Sequence, residues 1–167
     1  MTIERTSNLL GALSLAVSDR IRAVAAHGLG HGGETPAALI VIGHEPGLSN
    51  DMLRKILALS HSGAVRLIDR LQADGLVERR KGKDGRAVAL YLTEIGDALR
   101  VDILKNREVI LVPIVERLSI QDKKRLTAIL EKMLRNLPKT EVDTYSICRL
   151  CDEGACQSCP MEEPALP

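Results

Sequence analysis

The chain has 167 residues, 45% of them apolar and 27% charged, with a net charge of +1. That is the arithmetic of one ordinary domain with attached helices, and it excludes the charge-rich, core-poor profile of disorder. No apolar run approaches the roughly 18 residues that cross a bilayer, and the absence of Trp and Phe argues against a site that stacks sugars or bases on aromatic faces.

The N-terminus, MTIERTSNLLGAL, has an early acid and no signal-peptide layout, so the expected location is cytoplasmic. Leu9, Leu10, Leu13, Val17, Ile21 and Val24 recur at helical spacing and predict a first helix over 7–27, capped by Ser7. The glycine-rich HGLGHGG, 27–33, reads as a loop. Thr35-Pro36 then opens a short apolar helix, with Thr as cap and Pro at the first position, ending at Pro46-Gly47. Ser49 caps a helix through Leu57, and Ser60 caps the next, 61–74, which Gly75 stops. Two short helices joined by a tight turn are the punctuation of a helix-turn-helix. In the second of them Ala64, Leu67, Ile68 and Leu71 form the buried stripe, while Ser62, Arg66 and Arg70 share an outward face.

LVERRKGKDGRAVALYL, 76–92, alternates on both sides of a polar turn and predicts a hairpin. A hairpin placed directly after a helix-turn-helix is a wing. Thr93 caps a long helix over about 94–117, which Pro113 is expected to kink or divide. Ser119 caps a last amphipathic helix, with Asp122 in the place of a capping-box acid, and Pro138 ends it. About 29 residues of tail follow.

The small net charge hides an uneven distribution. Residues 54–86 carry nine Lys/Arg against four Asp/Glu, and residues 139–167 carry two against six. A local basic cluster is the electrostatic footprint of phosphate binding, although a solvated helix face gives the same count. All four cysteines, Cys148, Cys151, Cys156 and Cys159, lie in the acidic tail. A disulfide-built secreted domain would spread them through its core.

The segment HSGAVRLIDRLQADGLVERRKGKDGRAVALYLTEIG, 61–96, resembles the MarR family of winged helix-turn-helix transcription regulators. The resemblance rests on four pieces in order: Ile68-Asp69-Arg70-Leu71, Gly75-Leu76-Val77-Glu78-Arg79, Asp84-Gly85-Arg86 and Leu92-Thr93-Glu94-Ile95-Gly96. Gly85 inside the wing and the cysteine tail depart from the family pattern. The expected fold is mainly α with a small β-hairpin wing. Residues 1–34 would serve dimerisation, 35–92 the DNA-binding head, 93–138 dimerisation again, and 139–167 a cysteine-rich acidic tail. The resemblance implies a homodimer with interlocked first and last helices, straddling the two halves of a pseudo-palindromic operator on double-stranded DNA. It also implies repression relieved by a small effector, often a phenolic or otherwise apolar acid, bound between head and dimer region. No catalytic constellation is visible, so no enzyme is expected.

A recognition helix aims its first turns at base edges in the major groove, which nominates His61, Ser62, Gly63 and Arg66. Arg70, one turn deeper, suits a phosphate. In the wing, Lys81 and Lys83 suit phosphates. The resemblance makes Arg86 the minor-groove residue, with Asp84 positioned to orient it. The tail spacing Cys148-x2-Cys151-x4-Cys156-x2-Cys159 offers four thiolates. Tetrahedral Zn²⁺ is the first reading, redox switching through disulfides the second and an iron–sulfur cluster the third. A tail placed after the final helix would brace the dimer region, with metal binding as what orders it. Two alternatives of another class follow from the same residues: a regulator with the tail as metal or thiol-redox input, and a CxxC thiol oxidoreductase. His27, His31 and His44 with Glu34 and Glu45 form a weaker metal candidate, because histidines near a glycine-rich loop are more often solvated.

Overall fold

The computed structural model describes residues 2–25, 33–81, 88–138, 140–156 and 159–161. Its elements in order are α1 (Ile3–Ala25), α2 (Thr35–His44), β1 (Leu48–Ser49), α3 (Asn50–Ile56), α4 (His61–Ala73), β2 (Val77–Lys81), β3 (Val88–Leu92), α5 (Glu94–Glu116), α6 (Ile120–Arg135) and α7 (Glu141–Cys148). The chain is mainly helical with a three-stranded antiparallel sheet of order β1-β3-β2.

The head forms around α2. Residues Thr35 to Ile42 are all buried, as expected of a helix that is apolar all round. Around it close Leu53 and Ile56 of α3, Leu67, Ile68 and Leu71 of α4, Val77 of β2, Leu90 of β3, and Ile103 and Leu104 of α5. The sheet register pairs Val77 with Leu92 and Lys81 with Val88, so the hairpin closes directly after α4. β1, two residues long, pairs Leu48 with Leu90. Two residues are too few to show alternation in a sequence.

Polar caps set the boundaries. Ser49, Ser60, Thr93 and Ser119 each accept from the backbone N–H three residues on, at Met52, Gly63, Gly96 and Asp122. Gly75 has φ +70°, the left-handed turn that releases the chain from α4 into the wing. Four sequence expectations are corrected. The first helix starts at Ile3, so Ser7 lies inside it instead of capping it. Thr35 is the first residue of α2 and is buried, while Glu34 holds the cap position without a side-chain hydrogen bond. Asp122 accepts from the Ser119 hydroxyl at 2.7 Å instead of from its backbone N–H. Pro113 does not divide α5, which is one helix through Glu116. Pro113 sits so near the end that the backbone bond it removes is among the last of the helix.

α1 packs against α5. α6 buries none of its residues. Along α1, the second half of α5 and α6, large apolar side chains stand in the open, among them Leu13 at 52% and Ile129 at 55% exposure. No helix among the described residues is long and apolar enough to cross a membrane.

Candidate nucleic-acid interface

α4 presents two faces. Ala64, Leu67, Ile68 and Leu71 enter the core. His61, Ser62, Arg66 and Arg70 are exposed, and Gly63 is half-buried. These are the sequence candidates, brought together on the outer side of one helix. Gly63 has a second role. A Cβ there would stand 3.0 Å from Ser60 Oγ, the atom that caps the helix through Gly63 N–H at 3.1 Å. A side chain at 63 would press on the cap that starts the recognition helix.

The wing is fixed to this helix by residues that the basic count does not single out. Arg79 on β2 donates to Asp69 and to Gln72, both on α4. Arg79 and Asp69 belong to two pieces of the quoted family pattern, so the pattern held the signal although not the pairing. Arg80 donates to Glu78 and lies over the Tyr91 ring, 4.5 Å from its centroid. Two of the local arginines are therefore held by partners, while Arg66 and Arg70 project outward. Lys81, the last residue of β2, is exposed. Lys83, Asp84 and Arg86 lie outside the described residues, as do His27 and His31.

The base of the wing is tied to α5. Thr93 N–H donates to Leu76 O at 3.1 Å, and the Thr93 hydroxyl donates to Gly75 O at 2.6 Å. Gly96 passes so close that a Cβ would lie 2.0 Å from Leu76 O. The Leu-Thr-x-x-Gly segment thus joins wing to long helix by backbone contact.

The tail folds back onto the head, with α7 against α3. The Thr140–Asp143 capping box starts α7, a signal the sequence offered and the tail reading overlooked. Ser146 donates to Ile56 O at 2.8 Å, satisfying a carbonyl at the end of α3. Tyr145 donates to Glu45 Oε1 at 2.5 Å, and His44 Nδ1 meets Glu153 Oε1 at 3.1 Å. Val142, Tyr145 and Leu150 pack on the core. Burial and hydrogen bonds therefore order this part of the tail.

His44 has a side chain only 4% exposed, and its Nε2 has no partner. Burial and the neighbouring Arg100 lower its pKa, opposed by Asp152 and Glu45. Neutral imidazole with the proton on Nδ1 fits this site, because it donates to Glu153 and leaves Nε2 as a bare lone pair.

The four cysteines are free thiols gathered around the end of α7. Cys148 is in hydrogen-bond contact with Cys151 and Cys159; the Cys151 contact and burial push its thiol well up. The same bond from Cys148 brings Cys151 down to about 6, helped by the Arg107 guanidinium of α5. Cys156 is exposed. Among the described residues no three His, Cys, Asp or Glu side chains already stand in a metal-holding arrangement.

A capped recognition helix, a hairpin pinned to it and an outward basic face define a winged helix-turn-helix DNA-binding protein. The model of the MarR family matches residues 33–87. The uncharacterized HTH-type transcriptional regulator YwhA of Bacillus subtilis (strain 168) is 30% identical over 95 residues, covering 56% of this chain and 68% of that protein. The chain belongs to the MarR family and is a DNA-binding transcriptional regulator. Among solved structures it is similar to a MarR-family transcriptional regulator from Silicibacter pomeroyi. That match is 27% identical, with TM-score 0.62, over 77% of this chain and 90% of the other. It shares its fold with a MarR family protein from Bacillus stearothermophilus at TM-score 0.70 and 23% identity, over 80% of this chain and 96% of the other.

Proposed function

We propose that the protein is a homodimeric repressor that reads a pseudo-palindromic operator with α4 and steadies itself on phosphates with the wing. The observation that carries this reading is the exposed set His61, Ser62, Arg66 and Arg70 on the helix whose opposite face is the core. Arg66, within the first two turns of α4, is assigned to a base edge. Arg70, Lys81 and Lys83 are assigned to phosphates. The assignment of Arg86 to the minor groove, oriented by Asp84, comes from the family resemblance.

The dimer is supported by the apolar side chains that a single chain leaves uncovered on α1, α5 and α6, including Leu9, Leu13, Val112, Ile129 and Met133. Faces of this kind are buried by a partner. A second copy is the occupant that also supplies the second head a palindrome requires. Repression follows from occupancy of the operator, and a small effector that prefers the spacing of heads unsuited to DNA would relieve it. Selection from a random duplex library tests the reading. Recovery of an inverted repeat supports it, and uniform recovery of all sequences overturns it.

A further inference from the structure

The tail joins two features that DNA binding alone does not use: four thiols in twelve residues and a helix docked on the helix-turn-helix. α7 ends at Cys148, and Cys151 N–H returns to Cys148 O at 2.7 Å, a tight turn that keeps the first pair together. Gly154 N–H donates to Asp152 Oδ1 at 2.9 Å and Cys156 N–H to Glu153 O at 3.1 Å, which turns the chain again before the second pair. Cys148 contacts Cys151 and Cys159, and Cys156 feels the charges of both Cys151 and Cys159. The turns and these neighbours bring the two pairs to the same end of α7, although no three of the thiols already hold a metal-binding arrangement.

We propose that Cys148, Cys151, Cys156 and Cys159 bind one Zn²⁺ and that loading this site fixes α7 against α3, making the tail a brace on the DNA-binding head. Zinc takes four thiolates at about 2.3 Å, which sets the sulfurs about 3.8 Å apart. Loading draws the four sulfurs together around the ion, turns the exposed Cys156 inward and releases protons. The brace acts through contacts already formed. Ser146 holds Ile56 O, Tyr145 holds Glu45, and Glu153 holds His44 at the end of α2. Glu153 lies between the second and third cysteines, so the metal knuckle fixes the residue that grips α2. Ile56 closes the helix that precedes the recognition helix, so the site is coupled to the placement of α4. This consequence for DNA rests on the proposed function, whereas the site itself does not.

The test uses the full-length protein purified under reducing, anaerobic conditions, with zinc alone as the probe. One zinc per chain is expected by elemental analysis, with the four thiols shielded from alkylation. Cys156→Ser should lose the zinc while keeping its helical signal. Amide exchange over residues 51–57 should slow when zinc is added to chelated protein. Chelation should weaken binding to the selected operator at least about fivefold, the lower end of ordinary coupling between sites. Less than about half an equivalent of zinc, with all thiols alkylated, overturns the site. So does iron with visible absorption, or disulfides and no metal. Stoichiometric zinc with unchanged exchange and unchanged operator affinity overturns the brace. Stoichiometric zinc in a protein that selects no operator would leave the site standing and remove the repressor reading.

Discussion

Single residues separate reading from holding. Arg66→Ala should relax sequence preference, because a bidentate contact with a guanine edge discriminates by about 1–3 kcal/mol. Lys83→Ala should weaken all sequences alike and reduce the salt slope by about one. Binding measured across operator variants and salt concentrations checks both. Equal scaling by the two changes would contradict the assignment of Arg66. Gly96→Ala should destabilise the fold by about 1–3 kcal/mol or more, since the added carbon meets the rigid Leu76 carbonyl. For a chain of this size that is a fall in Tm of roughly 2–4 °C per kcal/mol. An unchanged melting curve would contradict the close approach. His44 predicts a pH dependence. Its pKa in the folded protein lies below the unfolded 6.5, so the unfolded chain binds more protons in that interval. Stability should fall as pH drops from above 6.5 through the folded value, and His44→Gln should flatten that slope. Among the groups facing the ring, Arg100 lowers the window and Asp152 and Glu45 raise it, while Glu153 meets Nδ1.

At the scale of elements, caps and stops were readable wherever a side chain does local work. Ser49, Ser60, Gly75, Thr93 and Ser119 end or begin helices within a residue of where their spacing places them. Expectation failed where context beyond the chain neighbourhood decides. The first helix begins at Ile3, ahead of Ser7, and a mid-helix Ser is tolerated on an exposed turn. Thr35 is drawn into the core with the rest of α2. The wing's attachment to α4 was present as Arg79 and Asp69 but needed the fold to bring residues ten apart into contact. α7 was missed because its capping box stood in a segment read only for cysteines. The docking of the tail predicts an element-scale result. Ser146→Ala removes the partner of the Ile56 carbonyl and should cost about 0.5–1.5 kcal/mol, with faster amide exchange confined to α3 and α7. Exchange unchanged in both helices would contradict the docked tail.

For the whole molecule, charge and apolar surface divide the labour. Among the described residues the basic centre falls on α3, α4 and β2, and α7 of the acidic tail packs against α3. The apolar faces of α1, α5 and α6 are exposed on a single chain; with a second copy covering them, as proposed, folding and dimerisation should be one concentration-dependent transition. The fold class was legible because caps, stripes and the wing pattern agree with one another. The seat of the tail was not, because it depends on surfaces that come together only in three dimensions. The most direct test of the account is the mass and footprint of the protein on its selected operator, measured by analytical ultracentrifugation and hydroxyl-radical cleavage. Two chains per duplex are expected, with protected half-sites about 10 bp apart, centre to centre. A single chain per duplex, or protection without a repeat, would contradict it.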